Sequence, residues 1–209
     1  MPKSPLELTR SQILAFRRRA GALDERLPRG VRSLRRAAWA GLTDSVPRAA
    51  LLSIHARVKG TSPTSWEDPS LVQVWGPRYS TYVVPDRDRA IFTLGRLPDA
   101  ARRRQRAEDM AARVNAFLAG RRLQDTVVQK ALGVGNAFKY ATTTGTLLLR
   151  WEGAKAPTIW TVPRPEIEPH EARSELVRRY LHVFGPATPE AFGTWAGVAD
   201  GEARATSQP

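Results

Sequence analysis

TYVVP, residues 81–85, returns 78 residues later as IWTVP, residues 159–163. Both read as aromatic and β-branched strands that end where a proline can no longer donate to a ladder. Each follows a mostly helical stretch, so the repeat predicts tandem units of about 80 residues rather than one continuous fold. Three such units fit the chain: residues 1–98, 99–168 and 169–209, the third cut short.

The second unit shows its order most clearly. Ala107, Met110, Ala111, Val114, Phe117 and Leu118 recur at spacings of three and four, which predicts an amphipathic helix over 101–119 stopped by Gly120. Gln124 to Leu132 reads as a second, shorter helix with Asp125 near its N-cap, and Gly133-Val134-Gly135 as a tight turn. Asn136 then caps a third helix, NAFKYATTT, that ends near Gly145. TLLLRWEG and APTIWTVP follow as two strands joined by a loop containing Lys155. Helix, helix, turn, helix, strand, loop, strand is the order of a winged helix, whose third helix enters the major groove. Asn136, Lys139, Thr142 and Thr143 are the exposed candidates on that helix. Winged helices also serve as protein-interaction modules, and a threonine run also suits a helix end packed on a sheet.

The first unit is less regular. Leu8 to Leu23 reads as a helix capped by Thr9 or Ser11, Ser33 to Leu42 as a second, and PRAALLSIHARV, residues 47–58, as a third with Pro47 in its first turn. A short helical turn and a hairpin through Trp75, Tyr79 and Tyr82 complete it. In the third unit, HEARSELVRRYLHVFG predicts a helix with Leu176, Tyr180, Leu181 and Phe184 on one face. Thr188 caps another helix, with Pro189 at its first position and Gly197 at its end. Only VADGEARATSQP remains, so Tyr180, Phe184, Phe192 and Trp195 are expected to lack a sheet, which argues for truncation. The expected class is therefore mainly α with small β-hairpins, an α+β chain of tandem winged-helix domains.

Charge narrows the function. The net charge of +13 sits unevenly: residues 1–113 carry 22 basic and 11 acidic side chains, residues 114–209 carry 11 and 9. A field of that sign attracts polyanions, since each neutralised phosphate releases counterions. Against this, 28 of the 33 basic residues are arginine, which a GC-rich genome produces whatever the function. The cysteine count of 0 excludes disulfides and thiolate chemistry, and His55, His170 and His182 show no ligand spacing, so neither metal nor cofactor is expected. No apolar run is long enough for a membrane span or secretory signal, which leads to an expected cytoplasmic, monomeric protein.

LTRSQILAFRRRAGAL, AGLTDSVPRAALLSIHARV and YLHVFGPATPEAF, with the tandem winged-helix order, resemble winged-helix DNA-binding proteins related to AlkZ-type DNA glycosylases. The resemblance covers nearly the whole chain, and its most specific parts are residues 39–58 and the FGPAT turn at 184–188. It implies three winged-helix units around duplex DNA and metal-independent excision of bulky or crosslinked alkylated bases. It also implies a motif of glutamine, an apolar residue, then glutamine or aspartate just before the block's proline. Those positions fall here on Thr43, Asp44 and Ser45, so neither glutamine is present and a carboxylate takes the middle place. Base excision needs a water positioned and partly deprotonated beside a developing positive sugar, which a carboxylate or carboxamide pair can do and hydroxyls do poorly. Asp44 is thus either a base or a helix end.

The expected partner is double-stranded DNA, held mainly through phosphate. Arg17, Arg18, Arg35, Arg36 and Arg48 of the first unit and Asn136, Lys139, Thr143 and Lys155 of the second are the candidate contacts. The competing reading is a glycosylase in which Asp44 orients water and Thr43 and Ser45 hold the nucleotide. A third is a protein-interaction scaffold.

Overall fold

The computed structural model describes residues 7–46 and 48–198, so what was expected of Pro47 and of most of the C-terminal tail lies outside the described residues. Helix α1 (Arg10–Ala20) begins in a capping box, with the Thr9 hydroxyl accepting from Gln12 N and the Gln12 side chain accepting from Thr9 N. Helix α2 (Val31–Ala37) is shorter than its expected span, because Leu42 belongs instead to strand β1 (Leu42–Thr43). Between them Gly41 takes φ 79°, and a Cβ there would stand 2.8 Å from the Phe92 ring. Only glycine lets the chain pass that close and turn into a strand. Helix α3 (Ala49–Arg57) follows, its N-cap Arg48 in the left-handed region at φ 68°.

Strands β2 (Leu71–Trp75) and β3 (Thr81–Pro85) form the first hairpin, and helix α4 (Arg89–Thr93) follows β3. The second helical stretch contains α5 (Ala101–Leu118), the two-residue strand β4 (Leu123–Gln124) and α6 (Asp125–Leu132). Strands β5 (Leu147–Arg150) and β6 (Thr158–Thr161) form the second hairpin. Helices α7 (Pro169–Phe184) and α8 (Pro189–Ala196) close the chain, with Thr188 Oγ1 accepting from Ala191 N at the start of α8.

The two hairpins do not stay apart as separate units. They join edge to edge into one six-stranded sheet ordered β1-β3-β2-β5-β6-β4. At the joint, β2 and β5 share a single backbone register pair, Gln73 with Leu149. Cross-strand partners lie on one face, so the registers line up a row across the whole sheet: Leu42, Val83, Gln73, Leu149, Ile159 and Leu123.

On that face α2 and α3 bury Leu34, Ala50 and Ile54 against Leu42, Leu71 and Val83, while α5 and α6 bury Val114, Leu118 and Val128 against Trp75, Leu147, Leu149 and Ile159. The opposite face receives α7 and α8: Leu176, Val177, Tyr180 and Phe192 pack on Val74, Tyr82, Val84 and Leu148, with Trp195 against the same cluster. This corrects the expectation that the aromatic residues of 169–198 lack a sheet. They use the one built by the two preceding hairpins. The buried side of α7 is also rotated from the expected stripe, since Leu181 and Phe184 are exposed.

The expected third helix of the second unit is a further correction. Gly135–Thr144 is a 3-10 helix, and Thr142, Thr143 and Thr144 are buried rather than exposed. Thr143 Oγ1 donates to Tyr140 O at 2.9 Å and Thr144 Oγ1 to Ala141 O at 2.7 Å, each three residues back, while Thr142 Oγ1 donates to Trp75 O of β2 at 3.4 Å. Hydroxyls that bond their own backbone, as those of Thr143 and Thr144 do, favour a tight turn over an α-helix.

Gln73 is the polar member of an otherwise apolar row, and its amide completes the joint. Oε1 accepts from Trp151 N at 2.7 Å, and Nε2 donates to Trp151 O at 3.3 Å and to Asp44 Oδ2 at 2.7 Å. Gln73→Ala leaves the Trp151 N–H and Asp44 Oδ2 without partners inside the fold, and is expected to lower stability by about 2–4 kcal/mol in urea unfolding at neutral pH. Gln73→Glu, which faces Asp44 with a second carboxylate, should be less stable still at pH 7 and recover as the pH falls toward 5. Unfolding midpoints unchanged in both variants would refute this role for the amide.

Candidate functional site

The motif positions divide between surface and core. Strand β1 turns Thr43 outward, and the Thr43 and Ser45 hydroxyls, both exposed, stand 3.3 Å apart. Asp44 points the other way and is 3% exposed. Its Oδ1 accepts from Ala50 N at 3.0 Å, in the first turn of α3, and its Oδ2 accepts from Gln73 Nε2. Asp44 therefore caps α3 from a distance of six residues, and it does so from the end of a strand rather than from a junction between two helices. Burial raises its pKa above 3.8, and the bonds from Ala50 and Gln73 and the nearby Arg48 charge offset this only in part.

The expected arginine contacts also divide. Arg17 is half-buried, its Nε donating to Gly185 O at 3.1 Å and its Nη2 to Phe184 O, so it pins α1 to the end of α7. Arg18 pairs with Asp24 at 3.3 Å and stays exposed. The Arg48 guanidinium lies 4.5 Å from the Trp66 ring centre, where Arg150 also lies at 3.9 Å. Arg35 and Arg36 lie together with Val31, Arg32, Trp39 and Arg87 around an open groove. Asn136 and Lys155 are exposed away from that groove, Lys139 is half-buried with its ammonium 5.3 Å from the Trp75 ring centre, and Thr143 is buried.

Sequence reasoning missed what shapes the groove. Arg179, 5% exposed, donates from Nη1 to Trp39 O at 2.8 Å and to Asp88 Oδ2 at 2.9 Å, and from Nε to Glu175 Oε1 at 2.7 Å. One cation thus fixes the end of α2, the start of α4 and the middle of α7 around Trp39. The Trp39 ring stands 5.5 Å from Arg36, 5.2 Å from Arg178 and 5.0 Å from Arg179, and edge-on to His182 at 5.2 Å. Trp39 was visible in the sequence as a lone aromatic beside Arg32, Arg35 and Arg36. Its partner Arg179 on α7 lies 140 residues away and carried no local signal.

With this geometry in view, the profile of the DNA glycosylase AlkZ-like family matches residues 34–208. The chain belongs to the AlkZ-like DNA glycosylase family. The solved structure of Streptomyces sahachiroi DNA glycosylase AlkZ is similar over 96% of this chain, with a TM-score of 0.73 and 19% sequence identity. That likeness shows the fold, and the present chain covers 65% of the AlkZ structure's length. No curated protein matches the chain. Among the described residues no helix is long and apolar enough to cross a membrane.

The raised pKa of Asp44 has a sign that can be measured. The folded chain holds this proton more tightly than the unfolded chain, so the contribution to stability is fully present below 3.8 and is lost as pH rises through the raised folded value. Asp44→Asn has no such titration, and its amide nitrogen meets the Gln73 amide donor to donor. Wild type should gain on Asp44→Asn as pH falls from 7 toward 4 in urea unfolding. A gap that widens toward neutral pH instead would show that the hydrogen bonds outweigh burial.

Proposed function

We propose that the chain binds double-stranded DNA through the arginine groove beside Trp39, chiefly by contact with phosphates. The observation that carries this reading is the convergence of Arg32, Arg35, Arg36 and Arg87 on one open groove, whose Trp39 is held by the bond of Arg179 to its carbonyl. Guanidinium groups take phosphate oxygens in bidentate fashion, and a preset groove spares the entropy of ordering them. Membership in the family supports duplex DNA over a protein partner of acidic character. Sequence readout is modest at most on this reading, since phosphate contacts position a protein without specifying a base.

Base excision is the second reading, and one observation favours it beyond the family. Asp44 and Gln73 place a carboxylate, which can take a proton from water, 2.7 Å from a carboxamide, which can only orient it, next in the chain to the exposed Thr43 and Ser45. For that chemistry Asp44 has to leave Ala50 N and turn outward, with Thr43 and Ser45 contacting the nucleotide.

Anisotropy of a labelled duplex across a salt series tests the first reading. Several phosphate contacts give a slope of about −0.9 per contact in log affinity against log salt. Arg32→Ala with Arg36→Ala should reduce the slope by roughly 2, about 1 per residue. Arg17→Ala should lower the melting temperature and leave the slope alone. If Arg17→Ala reduces the slope and the groove variant does not, the interface lies elsewhere. Release of the modified base from alkylated duplex, leaving an abasic site and abolished by Asp44→Ala, would establish excision; no release would leave binding as the function.

A further inference from the structure

A second basic site lies at the turn of the first hairpin. A cleft of about 280 Å³ there is lined by Tyr79, Arg96, Arg103, Arg106, Tyr140 and Gly197 among others, and none of the described residues that line it is acidic. Arg96 is the unusual member at 2% exposed. Its Nε donates to Ala196 O at 2.7 Å and its Nη1 to Trp75 O at 3.0 Å, while Nη2 is buried with no hydrogen-bond partner among the described residues. A buried guanidinium with an unmet donor is costly, and such groups are normally satisfied by protein, water or a bound anion.

The surroundings point to the kind of anion. Nη2 lies beside Gly197, 3.7 Å from where a Cβ would stand, so the missing side chain leaves the wall thin at that point. Burial lowers the Arg96 pKa to about 10, which keeps it charged at neutral pH. Arg103 and Arg106 are exposed on α5 and reach the same space. Tyr79 packs against Arg96 at 4.6 Å on one side and meets Tyr140 edge-on at 5.3 Å, and the Tyr140 ring is 49% exposed. The cleft also shares an end of the sheet with Thr43 and Ser45. Asp44 N donates to Thr81 O at 2.8 Å, and Thr81 pairs with Trp75, whose carbonyl holds Arg96.

We propose that this cleft binds a nucleotide, with its phosphate on Arg96, Arg103 and Arg106 and its base against the exposed ring of Tyr140. Three guanidinium groups with no carboxylate among the described lining residues suit a phosphate ester, and an exposed aromatic ring takes any base by stacking. The nucleotide can come free or as part of a DNA chain.

Isothermal titration of the full chain with dAMP, deoxyadenosine and pyrophosphate tests the site, alongside anisotropy of a single-stranded oligonucleotide. Saturable binding of dAMP, weaker by roughly tenfold or more in Arg103→Ala/Arg106→Ala at unchanged melting temperature, supports it, with deoxyadenosine not bound. If dAMP does not bind but the oligonucleotide is weakened more by that double variant than by the charge-matched Arg18→Ala/Arg19→Ala, the site takes its nucleotide from a chain. Pyrophosphate binding as tightly as dAMP, with Tyr140→Ala without effect, overturns the nucleotide assignment. So does an unchanged affinity for both dAMP and oligonucleotide in the double variant. Binding of dAMP in a chain that fails to bind duplex would sink the groove reading and leave the cleft standing.

Discussion

One buried amide holds the molecule together. Two hairpins separated by residues 86–146 meet through a single backbone pair, and the Gln73 side chain supplies the next rung by bonding both the N–H and the C=O of Trp151 as a neighbouring strand would. An unpaired amide at the centre of an apolar row costs more than a typical net hydrogen bond returns, so full satisfaction decides whether the joint holds. The third bond of the amide, to Asp44, ties the start of α3 to the same point. Without that joint there is no continuous face for α7 and α8, and no common frame for the groove and the cleft.

Much of the charge that marks the sequence as basic is used inside the fold. Arg17, Arg57, Arg96, Arg173 and Arg179 each donate to backbone carbonyls. Guanidinium suits this work because its donors are fixed in a plane and it is more weakly hydrated than an ammonium. A net charge therefore overstates the footprint available to a polyanion. Two sets of basic residues line concave surfaces, one around Trp39 and a smaller one around Arg96.

The helices were legible where spacing and caps agree. The expected stripe from Ala107 to Leu118 is α5, the Thr9 cap begins α1, and Thr188 with Pro189 begins α8. Both repeated strand signals are strands, and the hairpins are where the sequence put them. The joining of those hairpins was not legible, because it rests on Gln73 meeting Trp151 across 78 residues, a contact with no local pattern. The 3-10 form of residues 135–144 was equally hidden, and the expected exposure of Thr143 and Thr142 went with it, the first bonding Tyr140 O three residues back and the second Trp75 O on β2. At the site, the resemblance put its motif positions on Thr43, Asp44 and Ser45 and carried nothing of their directions. Alternation along β1 sends Asp44 inward with Leu42, and Gln73, the glutamine that meets it, lies on another strand.

Native-state hydrogen exchange at Trp151 and Ala50, the two amides held by Gln73 and Asp44, tests the joint most directly. If one sheet unites the chain, both amides exchange with the same opening free energy as the centres of β2, β3, β5 and β6, and all move together when denaturant is added. If β5 and β6 stay protected while Ala50 and the first hairpin open at lower free energy, the two hairpins fold as independent units and the single-sheet architecture is wrong.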